Sequence, residues 1–174
     1  MSKLKIEVRT VLGANKRVEE PDISKLPYLQ AVIKESFIYH PPGPFVIRCK
    51  DGDDIEIKNY VIPKNALILI NIWAIDRDPS IYLNPNSIKP ERFLNAEVDV
   101  KGHNFEPIPV GTGRRIYPGM PLAYRMVHLI VASSIHNFDW KFGPGIAPED
   151  VDSNEKLGLS LHKAIPLKVV PTKP

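Results

Sequence analysis

Residues 110–119 read Val-Gly-Thr-Gly-Arg-Arg-Ile-Tyr-Pro-Gly, a short loop rich in glycine. Directly after this loop, apolar residues recur at the spacing of one helix face, at Leu122, Met126, Leu129 and Ile130. A glycine-rich loop before a helix can hold a phosphate, because backbone N–H groups at a helix N-terminus attract anions. This loop has neither a Gly-Lys-Ser/Thr ending nor a Gly-x-Gly-x-x-Gly spacing, so the usual nucleotide-binding patterns are excluded.

Two further helices are predicted upstream of this loop. The pattern of apolar and charged residues predicts a short amphipathic helix over residues 1–12, ending at Gly13, and a loop over residues 15–22. Pro27 suits the first turn of a second helix, which continues until Pro41-Pro42 ends it. The apolar stripe of this second helix consists of Leu29, Val32, Ile33 and Phe37.

Strands are predicted on both sides of the glycine-rich loop. Residues 45–57 and 60–70 are rich in β-branched and apolar residues around a turn at residues 51–53, which indicates a small antiparallel sheet. Residues 138–170 contain short apolar pieces split by glycine and proline, which predict a terminal hairpin. Residues 78–109 carry several prolines and little periodicity, and so long an irregular connection is usually functional.

The composition is that of an ordinary globular domain and argues against two classes of protein. The chain has 174 residues, 43% of them hydrophobic, and a formal net charge of only +3. No dense basic stretch is interleaved with aromatic residues, so no nucleic-acid partner is expected. The longest apolar run, residues 66–70, is far shorter than the roughly 20 residues that cross a bilayer, so no transmembrane segment is expected.

Four motifs occur in an order that resembles the cytochrome P-450 family. Residues 34–42, Lys-Glu-Ser-Phe-Ile-Tyr-His-Pro-Pro, are similar to the K-helix signature Glu-x-x-Arg followed by His-Pro-Pro. Residues 71–79 and the Pro-Glu-Arg-Phe box at residues 90–93 follow in family order. Residues 110–119 then resemble the haem-binding loop, whose pattern is Phe-x-x-Gly-x-Arg-x-Cys-x-Gly.

The resemblance implies an α+β fold, mainly α, that corresponds to the C-terminal part of the cytochrome P-450 fold. Its parts, in order, are the K helix, a small antiparallel sheet, the meander, the haem-binding loop, the L helix and a terminal hairpin. All of residues 1–174 then form a single partial domain. Full-length relatives are implied to lie at the endoplasmic reticulum membrane, whereas this chain shows no anchor and is expected in the cytoplasm.

The resemblance also implies a cofactor, a substrate and a partner. Family members hold haem and receive electrons from a reductase. Residues 99–102 and 146–151 resemble plant microsomal members that hydroxylate terpenoids, which implies a small hydrophobic substrate.

The haem-binding loop can be assigned residue by residue from the resemblance. Gly113 and Gly119 are its motif glycines, and Arg115 is the arginine expected to pair with a haem propionate. Tyr117 stands where the family has the cysteine thiolate that ligates the iron. Two interpretations of Tyr117 stay open: a phenolate ligand at the axial haem position, as in catalase, or a loop tyrosine without a role.

A second departure from the family pattern lies in the K helix. Glu35 is retained, but Ile38 stands at the position of the Glu-x-x-Arg arginine. Side chains three residues apart on a helix are neighbours, so an arginine there would meet the glutamate. The resemblance assigns Glu35 a second cationic partner, Arg92 of the Pro-Glu-Arg-Phe box, and we expect these two residues to form an ion pair.

Three functional interpretations follow from these residues. The inherited function is haem-dependent monooxygenation, and the departures at Tyr117 and Ile38 predict that this chain is inactive. The alternatives are a non-catalytic remnant that binds haem or another protein, and the product of a decaying gene. A partial fold is expected to expose apolar faces, which predicts a protein partner or self-association. The residues expected on those faces are Leu29, Val32, Ile33, Leu129 and Ile130.

Overall fold

The computed structural model describes residues 1–13, 16–49, 52–94, 116–158 and 160–174. The helices in these ranges are α1 (Ser2–Leu12), α2 (Pro27–Tyr39), α3 (Ile72–Ile75) and α4 (Met120–Asn137). The strands are β1 (Phe45–Cys49), β2 (Ile55–Ile57), β3 (Tyr60–Ile62), β4 (Leu67–Asn71), β5 (Asp139–Phe142), β6 (Glu155–Leu157), β7 (Leu161–Lys163) and β8 (Val169–Thr172). Short 3₁₀ helices span Glu20–Lys25, Pro90–Phe93 and Pro148–Asp150. The predicted α+β class is confirmed.

The main hydrophobic core lies between α1, α2 and α4. These helices contribute the buried side chains Leu4, Val8, Leu12, Leu29, Ile33, Ala132 and Ile135. The α1 residues among them are four positions apart, so one face of that helix turns inward. Gly13 ends α1 as predicted, with a φ of +71° that a residue bearing a side chain rarely adopts.

The prediction that Leu29 and Ile33 lie on an exposed face is wrong. Their exposed fractions are 0% and 3%, because α1 and α4 of this chain already cover that face of α2. Val32 and Leu129 are partly buried against the same core. Of the five residues expected to be exposed, only Ile130 is, with an exposed fraction of 57%.

Glu7 joins α1 to the first turn of α2. One carboxylate oxygen accepts the backbone N–H of Tyr28 at 2.7 Å, and the other accepts that of Leu29 at 2.9 Å. The first N–H groups of a helix have no partner within the helix, so Glu7 satisfies two of them from a neighbouring element. A negative charge at this end also suits the helix dipole.

The segment before α2 differs from the predicted loop. A 3₁₀ helix begins at Glu20, and the loop prediction therefore holds only for residues 16–19 of the described chain. Asp22 is buried in this turn, where Lys16 donates to its carboxylate at 2.7 Å and the backbone N–H of Glu19 donates at 3.2 Å. The hydrogen bond from Lys16 is the main cause that lowers the pKa of Asp22.

The small sheet predicted after α2 is two separate strand pairs. β1 pairs with β4 in antiparallel register, from Phe45 opposite Asn71 to Cys49 opposite Leu67. β2 and β3 form a hairpin nested between these two strands in the chain, and Lys58, with a φ of +55°, lies in its turn. Such a positive φ in a two-residue turn matches the right-handed twist of the flanking strands.

The predicted terminal hairpin is confirmed as β6–β7, and a second pair, β5–β8, brings the last strand back beside the end of α4. Asp139, at the start of β5, forms ion pairs with Lys5 at 2.5 Å and Arg9 at 2.7 Å. These contacts join α1 to the C-terminal strands. Among the described residues, no helix is both long enough and apolar enough to cross a membrane.

Candidate functional site

Residues 116–119 lead directly into α4, and two of their carbonyl groups accept N–H groups of its first turn. The carbonyl of Tyr117 accepts the N–H of Met120 at 3.2 Å, and the carbonyl of Gly119 accepts the N–H of Ala123 at 2.9 Å. Pro121 lies in the first turn, where the missing N–H costs nothing because it would have no partner in the helix. The loop and helix predicted from the sequence therefore adjoin at Gly119.

The ring of Tyr117 lies against Gly119. A Cβ placed on Gly119 would be 2.5 Å from the Tyr117 hydroxyl oxygen, a distance that real Cβ atoms do not tolerate. Gly119 is therefore needed for this ring position, although its own φ of −80° is open to any residue. Tyr117 is 53% exposed, and its hydroxyl lies beside Gly119 at the start of α4.

Gly113 and Arg115 lie outside the described residues. Gly119 and Tyr117 are the two members of the predicted loop site that the structure describes. Cys49, the one cysteine of the sequence, is exposed on β1, a different element from the loop. The described donors at the loop thus offer a phenol and no thiolate, which does not fit a haem held by cysteine.

Glu35 is the buried centre of a second group of polar residues, with an exposed fraction of 2%. One of its oxygens, Oε1, accepts the backbone N–H of Lys89 at 2.6 Å. The other, Oε2, lies 3.0 Å from Nε of Arg92, so the two residues form an ion pair. The Nε–H is directed towards the carbonyl of Lys89, at 3.3 Å, and Oε2 receives no hydrogen bond from any described residue.

Arg92 also organises the backbone that precedes it. Its terminal nitrogens donate to the carbonyls of Leu83 and Ser87, each at 3.0 Å, and to that of Asn84 at 3.4 Å. A planar guanidinium can donate in several directions at once, which a lysine ammonium does with less fixed geometry. Arg92 thus fixes residues 83–89 around the carboxylate of Glu35.

Ile38 places hydrocarbon where the family pattern has a guanidinium. Its exposed fraction is 5%, and it belongs to a second apolar cluster with Ala31, Tyr82 and Phe93. Ile38 lies one turn after Glu35, and its side chain has no hydrogen-bond donor. Oε2 of Glu35 therefore has the ion pair with Arg92 as its described polar contact. The local structure is therefore apolar on one side of Glu35 and cationic on the other.

His128 and Asp76 are among the buried polar residues that were not identified from the sequence. His128 is fully buried, its Nδ1 lies 2.6 Å from the carbonyl of Tyr124, and burial lowers its pKa. Asp76, directly after α3, is 1% exposed, and burial raises its pKa to about 7 against the opposing charge of Arg77. Both are hydrophilic residues, which are usually exposed, and burial by distant elements leaves no local signal in the sequence.

Comparison with protein families and known proteins places this geometry in a wider context. Residues 1–169 match the family described as cytochrome P-450. The chain is 51% identical to cytochrome P-450 76T24 of Catharanthus roseus over 99% of its length. It is 50% identical to ferruginol synthase of Isodon rubescens and 48% identical to geraniol 8-hydroxylase of Swertia mussotii, over 100% and 99% of its length.

The similarity covers nearly all of this chain but only part of each relative. The chain spans 35% of the length of each of these three curated relatives. A solved structure of a zebra fish cytochrome P-450 with abiraterone superposes with a TM-score of 0.84 at 24% identity, over 98% of this chain and 39% of that one. The superposition shows the same fold for the shared part, which corresponds to the helices and small antiparallel sheets described above.

Proposed function

Because this chain belongs to the cytochrome P-450 family, we propose that it retains the C-terminal part of a haem-dependent monooxygenase and does not itself catalyse oxygen insertion. Members of this family bind haem. The observation that carries the proposal is the residue Tyr117, whose half-exposed ring lies over Gly119 and which stands in the sequence where the family pattern has the ligand cysteine. The inherited reaction is the hydroxylation of a small hydrophobic plant metabolite, with electrons from a reductase.

The similarity to ferruginol synthase and geraniol 8-hydroxylase supports a terpenoid as the inherited substrate. In this proposal Arg115 pairs with a haem propionate, while Gly113 and Gly119 let the loop approach the ring closely. Glu35 and Arg92 hold the neighbouring backbone in place.

The missing thiolate decides against catalysis on chemical grounds. In this family it is the electron donation of the thiolate to the iron that favours cleavage of the O–O bond. Tyrosine ligates haem iron in catalase, whose reaction is not oxygen insertion, and its oxygen does not supply the electron donation of a thiolate sulfur. Tyr117 therefore does not replace the thiolate in this reaction, whether or not haem binds.

The test is a haem titration of the purified chain with two matched variants. Absorption spectra are recorded oxidised, reduced, and reduced with carbon monoxide, for the parent, Tyr117→Cys and Tyr117→Phe. We expect the parent and Tyr117→Phe to give the same spectrum, without the signature of a thiolate-ligated iron. A thiolate-type spectrum from the parent, or hydroxylation of geraniol when a reductase is supplied, would contradict the proposal.

A second function, protein binding, is favoured by apolar surface that the described part of the chain leaves uncovered. On α4, Leu122, Met126 and Ile130 are 66%, 47% and 57% exposed and lie four residues apart, so they form one stripe. One face of the β1–β4 pair adds further exposed apolar side chains, namely Phe45, Ile47, Leu67 and Leu69. Exposed apolar patches on a protein surface often mark sites of interaction with another protein.

The occupant we propose for this surface is the upstream part of a cytochrome P-450 fold. The shared fold covers 39% of the zebra fish chain, so most of that structure has no counterpart in the residues here. The stripe on α4 and the β1–β4 face are then internal surfaces of the complete fold. This occupant accounts for apolar faces on a helix and on a sheet together.

Co-purification tests this occupant. The portion of the Catharanthus roseus relative that lies upstream of the match is co-expressed, as a separate polypeptide, with this chain carrying an affinity tag. We expect the two to co-purify, and Met126→Lys and Ile130→Lys to abolish the association while Asn137→Lys, on the exposed end of α4, leaves it intact. Light scattering that shows a homodimer sensitive to the same substitutions would overturn this occupant in favour of self-association.

A further inference from the structure

The terminal hairpin β6–β7 makes few hydrogen bonds and ion pairs to the rest of the chain that the structure describes. Its two strands pair only with each other among the described strands, from Glu155 opposite Lys163 to Leu157 opposite Leu161. An isolated two-stranded hairpin is marginally stable in water, so its position depends on contacts made by its ends and side chains. Among the described residues, one backbone hydrogen bond joins its strands to another part of the fold: the N–H of Leu161 donates to the carbonyl of Pro42 at 3.0 Å.

The carboxylate of Glu155, on β6, contacts polar side chains at the end of α2 and on α3. Its Oε1 lies 2.5 Å from Nδ1 of His40, which follows the last residue of α2. Its Oε2 accepts the indole N–H of Trp73, on α3, at 3.3 Å. The side chain of Glu155 is 13% exposed and that of His40 is 35% exposed, so the carboxylate is largely buried while its histidine partner still meets water.

Arg77 holds this carboxylate from a third direction. Its Nη2 lies 3.6 Å from Oε2 of Glu155 and donates to the carbonyl of Tyr39 at 2.9 Å. Its guanidinium also stacks on Trp73, with the central carbon 4.1 Å from the ring centroid. The cation is thus fixed at the end of α2 independently of the hairpin, and it offers a preformed site for one carboxylate.

We propose that Glu155 is a latch that holds the β6–β7 hairpin against the C-terminal end of α2. His40, Trp73 and Arg77 form the receiving site, and Glu155 is the group on the hairpin that enters it. Hydrogen bonds to an ionised carboxylate are roughly twice as strong as those between neutral groups. Without this carboxylate the hairpin moves away from α2 and back more often, while the rest of the fold stays intact.

The proposal is tested by hydrogen exchange of the full chain, followed by mass spectrometry. Glu155→Gln keeps the size of the side chain and one acceptor oxygen, but it removes the charge that pairs with Arg77. We expect exchange of residues 155–163 to accelerate at least about tenfold, as the loss of a charge-assisted hydrogen bond predicts, while peptides of α1 and α4 keep the parent rates. Glu149→Gln, on the exposed 3₁₀ helix upstream of the hairpin, serves as the matched control and is expected to leave all rates unchanged.

Two results would overturn the latch. Parent exchange rates at residues 155–163 in Glu155→Gln would show that the carboxylate does not hold the hairpin. Equal acceleration in the hairpin and in α4 would show a general loss of stability instead. If Glu155→Gln does not fold, His40→Gln decides the question by the same criteria, since this partly exposed side chain contacts the same carboxylate. None of these readouts depends on haem, so the latch and the proposed function fail or hold separately.

Discussion

At the scale of single residues, the molecule depends on a few buried charges whose partners come from distant parts of the chain. Glu35 receives one hydrogen bond from the backbone of Lys89 and one ion pair from Arg92, and Ile38 supplies no further donor. A buried carboxylate with only these two partners depends strongly on each of them. Removal of Arg92 therefore has a larger effect here than where a second cation is present.

We predict that Arg92→Ala lowers the free energy of unfolding by about 3–5 kcal/mol, the cost of leaving a buried charge without its partner. Urea unfolding followed by circular dichroism measures this value. Arg17→Ala, at an exposed position, serves as the control and is expected to change stability by less than about 0.5 kcal/mol. A change below about 1 kcal/mol in Arg92→Ala would show that the ion pair with Glu35 contributes little.

Asp76 gives the stability a dependence on pH. Burial raises its pKa from 3.8 to about 7, so the folded chain holds a proton that the unfolded chain has released between these values. The contribution of this group is fully present below pH 3.8 and is lost as the pH rises through about 7. We expect Asp76→Asn to be the more stable protein at pH 8, by up to about 4 kcal/mol, and to lose that advantage at acid pH. Unfolding curves of both proteins from pH 4 to pH 8 measure the difference, and a constant difference would contradict the assignment.

Among these residues, the sequence allowed the Arg92 partner of Glu35 to be predicted but not the environment of Asp76. The pairing of Glu35 with Arg92 follows from the resemblance to two motifs of the family, in which these residues are partners. The burial of Asp76 depends on which distant segments cover the end of α3, and the identity of one acidic residue does not predict this. The role of Tyr117 stays a prediction for the same reason, since the identity of the residue does not fix where its ring lies.

At the scale of elements, helix existence and helix ends were predictable because they depend on local chemistry. The prolines around α2 and the glycine after α1 mark their boundaries, and the structure agrees. Which face of each helix is covered was not predictable. The stripe of Leu29 and Ile33 was assigned to missing neighbours, whereas α1 and α4 cover it.

The strand pairs show the same limit. Apolar content indicated strands between residues 45 and 70, yet the pairing of β1 with β4 spans a nested hairpin. Register over such a distance is set by tertiary packing and leaves no trace in the intervening sequence.

The buried face of α2 and the exposed stripe of α4 can be compared by making the same substitution at one leucine of each. Leu29→Ala is expected to lower the free energy of unfolding by about 2–5 kcal/mol, because the side chain is fully buried between three helices. Leu122→Ala, at a position 66% exposed, is expected to cost less than about 0.5 kcal/mol. Chemical denaturation of both variants measures these values. A cost at Leu122 similar to that at Leu29 would show that the exposed stripe is covered in solution.

At the scale of the whole molecule, α2 belongs to both apolar clusters. Leu29 and Ile33 face the main core, while Ala31 and Ile38 face the second cluster with Tyr82 and Phe93. One helix that serves two clusters couples their stabilities, so neither can unfold without disturbing the other. This arrangement supports the proposal that residues 1–174 form a single partial domain.

We therefore predict one cooperative unfolding transition for the full chain. Tryptophan fluorescence, which reports Trp73 and Trp140, and far-ultraviolet circular dichroism, which reports the helices, should give coincident urea curves. Two separate transitions would show that the segment around Trp73 and the segment around Trp140 are independent units.

The exposed face of the β1–β4 pair has a consequence for the life of the protein in a cell. Four large apolar side chains stand in two rows on a pair of strands that no other described strand borders. Folding factors and proteases recognise nascent polypeptides by surfaces of this kind, and unbordered strands are templates for aggregation. We therefore expect the abundance of this chain in a cell to rise when a partner covers that face and to fall when the face stays open to quality control.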